Sequence, residues 1–202
     1  MRDPRNARLA QVIIHHSTRL QPGEAILIEA FDLQDGLVHD LVEEACRAGG
    51  VPLVQLRTNP VIRQVLVSGS EAQIRLQAEV ELFQMKQVQA YVGLRASDNV
   101  SELGDVPAGQ LKLYAQLLQQ PVHLDWRVNH TKWVVLRYPT AAMAQLANMS
   151  TEQFEEFFYR VCTLDYGRMA EAIVPIAERM RRTKQVRRTG PGTEMRFRIQ
   201  GM

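Results

Sequence analysis

Four short apolar runs, each separated from the next by helical punctuation, constrain this chain more than any other feature. They are AILIEAF (25–31), PLVQL (52–56), AYVGL (90–94) and KWVVLRY (132–138). Stretches such as AILI and WVVL lack the polar alternation of a strand with one wet face, so they are expected to be covered on both sides. Residues 6–19 place Leu9, Val12, Ile13 and His16 at spacings of three and four, the period of a helix. Asp32 is positioned to cap a helix over 33–48 that stops at Gly49-Gly50. Asn59-Pro60 opens another, Ser70 caps one over about 71–85, and Pro107 starts one running to about Gln119. Strands separated by helices call for parallel pairing through crossovers. The expected class is α/β, a doubly wound and mostly parallel sheet flanked by helices.

Beyond the fourth run, Thr140 is a helix cap after Pro139, and Ser150 with Gln153 has the pattern of a capping box. Phe154, Phe157, Phe158, Val161 and Cys162 then recur at helical spacing, a stripe suited to core or interface. Residues 165–182 are again amphipathic, with Pro175 expected to kink them or split them into two short helices. After Thr183 the period changes. A turn at TGPGT (189–193) precedes Met195, Phe197 and Ile199 in alternation with polar residues, the pattern of a β-hairpin. The expected domains are therefore 1–183, an α/β domain, and 184–202, the start of a second domain that is cut short.

Chemistry is harder to find. His15, His16, His39, His123 and His130 form no HExxH and no metal-ligand spacing. There is no Gly-x-Ser-x-Gly elbow and no phosphate loop, and Gly190-Pro191-Gly192 precedes a strand rather than a helix. Glu155-Glu156 is expected on the wet side of its helix. Arg179, Arg181, Arg182, Lys184, Arg187 and Arg188 make a basic run without aromatic platforms, which reads as a helix C-terminus followed by a solvated strand. With a net charge of +2, no nucleic-acid partner is expected. No apolar run approaches the roughly 20 residues of a membrane span, so no membrane partner is expected either. Cys46 and Cys162 are expected as buried, reduced thiols, and the charged MRDPRNARLA start carries no signal-peptide pattern, so the expected location is cytoplasmic.

The segment from Tyr138 to Tyr166 resembles a signature of the metal-dependent aminopeptidases of the T and S type. The matching elements are Tyr138-Pro139-Thr140, Met143-Ala144-Gln145, Met149-Ser150, Glu152 through Phe158, and Asp165-Tyr166. Pro22-Gly23-Glu24, the pairing of Ala48-Gly49 with Val51-Pro52, and Thr189-Gly190-Pro191-Gly192-Thr193 followed by Glu194 continue the resemblance in collinear order. It implies an N-terminal α/β domain. It also implies a C-terminal domain holding a dinuclear divalent metal site (zinc, cobalt or similar), opened by an Asn-x-Pro-x-Gly-Glu segment that does not occur before Met202.

No catalytic, cofactor-binding or metal residue is therefore assigned within these 202 residues. By the resemblance, the full-length protein is a homodimeric peptidase acting on N-terminal residues of peptides, with this chain inactive alone. The alternative is a stand-alone, non-catalytic α/β binding module.

Overall fold

The computed structural model describes residues 3–33 and 36–201. Strand β1 (Ala25–Phe31) organises the sheet: it pairs in parallel with β2 (Val51–Arg57) on one side and β3 (Ala90–Arg95) on the other. β4 (Lys132–Arg137) adds in parallel to β3, giving the order β2-β1-β3-β4. The four apolar runs are thus the four strands, and the parallel α/β class stands. β1 and β3 are buried along nearly their whole length, whereas the edge strands β2 and β4 are half-exposed.

Side-chain alternation divides the interior into two layers. Ile26, Ile28, Ala30, Ala90, Val92 and Leu94 join Leu9, Ile14, Leu37 and Leu41 in one core. It draws on α1 (Pro4–Gln11), a π-helical continuation over Val12–Ser17, α2 (Leu37–Arg47), and Phe158 and Tyr159 of a later helix. The opposite core gathers Leu27 and Tyr91 with Leu66 of α3 (Asn59–Ser68), Ile74 and Met85 of α4 (Glu71–Lys86), and Leu118 and Val122. The last two lie in a second π-helical segment, Ala115–Arg127, that follows α5 (Ala108–Tyr114). Each buried side chain of this size contributes about 1.5–3 kcal/mol relative to exposure. A one-turn helix, α6 (Val128–His130), leads into β4, and α7 (Ala141–Leu146) and α8 (Thr151–Cys162) follow it.

Most caps behave as their residue types demand. Ser70, Thr140 and Ser150 accept hydrogen bonds from the backbone N–H of Gln73, Met143 and Gln153. At the end of α2, Gly49 adopts a left-handed φ of 78°. Its N–H bonds to the Cys46 carbonyl and the Gly50 N–H to the Ala45 carbonyl, a Schellman closure that glycine enters without a Cβ penalty.

Asp32 departs from its expected role. α2 begins only at Leu37, behind Gly36, and the intervening Gln34 and Asp35 lie outside the described residues. Asp32 has φ 56°, and its carboxylate accepts from Asn59 N at 2.9 Å and Asn59 Nδ2 at 2.6 Å. The adjacent strand β2 ends beside it, so the free N–H at the start of α3 is the one within reach.

Four further expectations change. The helix expected to end near Gln119 runs on as π-helix through Pro121 to Arg127. Pro175 does not divide its segment: α9 (Tyr166–Arg182) is one helix, whose face there is exposed, so water can take the carbonyl left free. Both cysteines are free thiols, but Cys46 is exposed and Cys162 half-buried, because Cys46 falls on the outward side of the last turn of α2. The aromatic stripe also splits, with Phe158 buried while Phe157 and Val161 are exposed.

By contacts the chain divides into Met1–Thr163 and Leu164–Met202. The second unit holds α9 and an antiparallel hairpin of β5 (Gln185–Gly190) and β6 (Thr193–Arg198), turned at Pro191-Gly192. The contact boundary therefore precedes α9, whereas the change of sequence period follows it.

Candidate functional site

The distinctive chemistry lies at the carboxyl ends of the strands. In a 2-1-3-4 order the winding reverses between β1 and β3, the place where open α/β sheets form a crevice. Side chains at alternate positions of β1, β2 and β3 point to the same layer there, and several are charged. Glu29, in the middle of AILIEAF, is 2 % exposed. Arg57 Nε lies 2.8 Å from its Oε1, and the Tyr91 hydroxyl donates to its Oε2 at 2.5 Å. Arg57 Nη1 also lies 2.8 Å from Glu81 of α4. Arg95 lies 3.7 Å from Glu29 and rests on the Phe31 ring, 3.7 Å from its centroid.

Burial tunes this cluster. It raises the Glu81 carboxyl above its ordinary value, although Arg57 pulls the other way. It would lower Arg57, but Glu29 and Glu81 outweigh it and hold the guanidinium charged. The Tyr91 phenol is raised, first by burial and then by the Glu29 charge, so it remains a donor. Gly93 makes room for this arrangement: a Cβ there would meet the Tyr91 ring and hydroxyl at 3.0 Å and Val135 at 3.2 Å.

Above the cluster is a cleft of about 400 Å³ walled by Phe31, Asn59, Arg95, Tyr114, His123 and Arg127, with Gln119, Ile62, Leu103 and Leu124 completing it. No carboxylate is among these residues. Gln119, His123 and Arg127 recur every four residues along the π-helical segment. Such segments are rare and concentrate at functional sites. His123 meets Tyr91 edge-on, and burial with the nearby arginines lowers it to about 4, so its ring is neutral near pH 7. Tyr114 is pushed up to about 12 by burial. Arg127, 9 % exposed, stacks over Tyr91 at 5.0 Å and Trp133 at 4.6 Å. Its Nε and Nη1 are buried without a hydrogen-bond partner, and burial lowers its pKa.

Histidines singled out in the sequence are dispersed. His15 Nε2 sits 2.6 Å from Glu44, and His130 stacks on Trp126 at 4.3 Å, while His123 alone reaches the cleft. Glu155 and Glu156 meet Arg5 at 3.5 and 2.5 Å, tying α8 to α1. In the second unit Arg187 pairs with Glu194 at 3.1 Å, and Arg179, Arg181 and Arg182 close the last turn of α9, where cations complement the dipole. Among the described residues no three His, Cys, Asp or Glu side chains come together as a metal group, so these residues do not fit a dinuclear centre. No described helix is long and apolar enough to cross a membrane. Sequence reading missed Glu29, Arg57, Glu81, Arg95 and Arg127. The available signal was Glu29 itself, a carboxylate inside a strand covered on both faces, which must be paired.

The segments behind the aminopeptidase resemblance have structural roles. Gly23 N donates to the Gly49 carbonyl and Val51 N to the Glu24 carbonyl, each at 2.8 Å, and a Cβ at Gly49 would meet Pro22 at 3.2 Å. These motifs therefore lock the amino ends of β1 and β2 together. At the other end of the sheet, the Tyr159 hydroxyl donates to Asn6 Oδ1 at 2.7 Å and lies 2.9 Å from the Tyr138 hydroxyl. Thr140 Oγ1 donates to the Ser97 carbonyl at 3.1 Å.

Among solved structures, the chain is similar to wild-type AmpT from Thermus thermophilus, with a TM-score of 0.70 and 17 % identity over 95 % of this chain and 52 % of that one. The chain thus spans about half the length of that relative. Weaker likenesses are to VinN (TM-score 0.28, 13 % identity, 56 % of this chain and 27 % of that one) and to the CurK enoyl reductase (0.33, 13 %, 76 % and 50 %). No curated protein matches the sequence. The sequence matches the family described as thermophilic metalloprotease (M29) over residues 2–198, and the chain belongs to that family.

Proposed function

We propose that this chain is the α/β portion of a metal-dependent aminopeptidase that removes N-terminal residues from peptides, with the metal-bearing residues supplied outside these 202 positions. The observation that carries the reading is the family match over 2–198, together with a fold shared over 95 % of this chain but only 52 % of AmpT. When bound, paired divalent metals would polarise the scissile carbonyl and activate water. The residues of this chain form the scaffold. The hydrogen-bonded Tyr138, Tyr159 and Asn6 fix the end of β4 against α1 and α8, and residues 184–202 are read as the start of the second domain. A cytoplasmic homodimer is the assembly that accompanies this reading.

The test is hydrolysis of an aminoacyl-chromophore with zinc, cobalt or manganese, by the 202-residue chain and by the product of the gene that encodes it, read past codon 202. Turnover is expected from the longer product only. Metal-dependent turnover by the 202 residues alone would place the site within them and overturn the proposal. An inactive longer product would overturn the peptidase reading. In that event a stand-alone α/β binding module becomes the better account, favoured by the carboxylate-free cleft around Arg127.

A further inference from the structure

We propose that the cleft over β1 and β3 is a binding site for a small monocarboxylate with an apolar body, whose carboxylate is received by Arg95 and Arg127. This assignment does not depend on the peptidase reading.

Charge is the first ground. Three guanidinium groups, Arg57, Arg95 and Arg127, converge on this layer against two carboxylates, Glu29 and Glu81. Glu29 is already engaged by Arg57 and Tyr91, and Glu81 by Arg57 and Gln77. One positive charge is left over, and Arg127 is the one of the three that pairs with no carboxylate, its Nε and Nη1 buried without a hydrogen-bond partner. A buried charge lacking its hydrogen bonds is costly, and an anion arriving from solvent would supply both the charge and the acceptors. A surplus of one matches a carboxylate; a phosphate dianion would leave the layer net negative.

Shape is the second ground. Both guanidinium planes are held by aromatic rings, Arg95 on Phe31 and Arg127 against Trp133 and Tyr91, so their donors are pre-oriented. Asn59, Gln119 and neutral His123 add uncharged polar groups, while Ile62, Leu103 and Leu124 supply apolar wall. The volume of about 400 Å³ is in the range of small-molecule sites.

The experiment titrates the 202-residue chain with 4-methylpentanoate, with its uncharged amide, and with inorganic phosphate. Binding is followed by calorimetry and by tryptophan fluorescence, since Trp133 lies against Arg127. The expected result is saturable one-to-one binding of the carboxylate, none of the amide at the same concentrations, and phosphate weaker than the carboxylate. Arg127→Met should weaken carboxylate binding at least about tenfold, the loss of one charge-assisted contact, with an unchanged circular dichroism spectrum. Equal binding of amide and carboxylate, absence of carboxylate binding, preference for phosphate, or full affinity in Arg127→Met would each overturn the assignment. Should Arg127→Met fail to fold, the comparison of carboxylate with amide on the unmodified chain decides alone.

Discussion

Arg57 Nε lies 2.8 Å from Glu29 Oε1, across the parallel pairing of edge strand β2 with buried β1. A buried pair of this kind adds little net stability, yet losing one partner is expensive because the other charge stays buried. Glu29→Leu leaves Arg57 with Glu81 alone as its acidic partner, removes the carboxylate near Arg95 and takes the acceptor from Tyr91. It should lower the unfolding free energy by about 3–5 kcal/mol in urea titrations at pH 7. A loss under about 1 kcal/mol would show that water already reaches Arg57.

Gly93→Ala tests the space the cluster needs. The added methyl would sit 3.0 Å from the Tyr91 ring and hydroxyl and 3.2 Å from Val135. Tyr91 is fully buried and tied to Glu29, so it cannot swing aside cheaply. Overpacking of this sort costs about 1–3 kcal/mol, readable as a lower urea midpoint at constant slope.

How much of this was legible in the sequence follows from range. Caps at Ser70, Thr140 and Ser150 act within three residues, and the run at 25–31 declares its burial by lacking polar alternation, so both could be read locally; the run at 132–138 lacks it too, yet it is an edge strand that leaves Trp133 and Val135 exposed. Glu29, Arg57, Glu81 and Arg127 come from four separate elements, and no local spacing reveals that they meet. Asp32 was misplaced for the same reason: its partner Asn59 is a neighbour only once β2 lies beside β1. The π-helical course of Ala115–Arg127 was also hidden, since Pro121 suggests a stop and an apolar period near four does not separate α from π.

His123 makes stability depend on pH in a definite direction. Its folded value is lowered to about 4 from an ordinary 6.5, by burial first and then by Arg127, Arg95 and Arg57, with Glu29 opposing. Between those values the unfolded chain binds more protons, so stability rises with pH from about 4 to 6.5 and is lost on acidification through that window. The size is roughly 3 kcal/mol. Glu81, raised by burial, acts oppositely just above its unfolded value of 4.5, which flattens the lower part of the window. Denaturant titrations from pH 4.5 to 7 should show the slope in the unmodified chain and a shallower one in His123→Gln. An unchanged slope would mean the imidazole is hydrated.

Asn6→Leu probes the signature region. Asn6 is buried, and its Oδ1 accepts from Tyr159 at 2.7 Å and Tyr138 at 3.3 Å. Leucine keeps the branched heavy-atom shape, though its methyls are bulkier, and removes the acceptor, leaving the hydroxyls of buried Tyr159 and half-buried Tyr138 with only each other at 2.9 Å. The expected loss is about 1–3 kcal/mol, with the near-ultraviolet tyrosine signal altered. Full stability would show the trio to be solvated.

The division at Thr163 carries the last prediction. Met1–Thr163 contains both hydrophobic cores, and no described residue from 164 to 201 is buried. Within that second unit Ile173, Ile176, Met180, Met195 and Phe197 are all exposed. A two-stranded hairpin is at best marginal in water alone, and a helix with no buried face has only its propensity to hold it. Truncation after Thr163 should therefore leave a cooperatively unfolding domain whose urea midpoint equals that of the longer chain, while the isolated 164–202 peptide should show no dispersed amide spectrum. If truncation lowers the midpoint, α9 or the hairpin contributes to the core. If the peptide folds alone, its exposed apolar residues have found one another, and a concentration series by light scattering will show whether copies have associated.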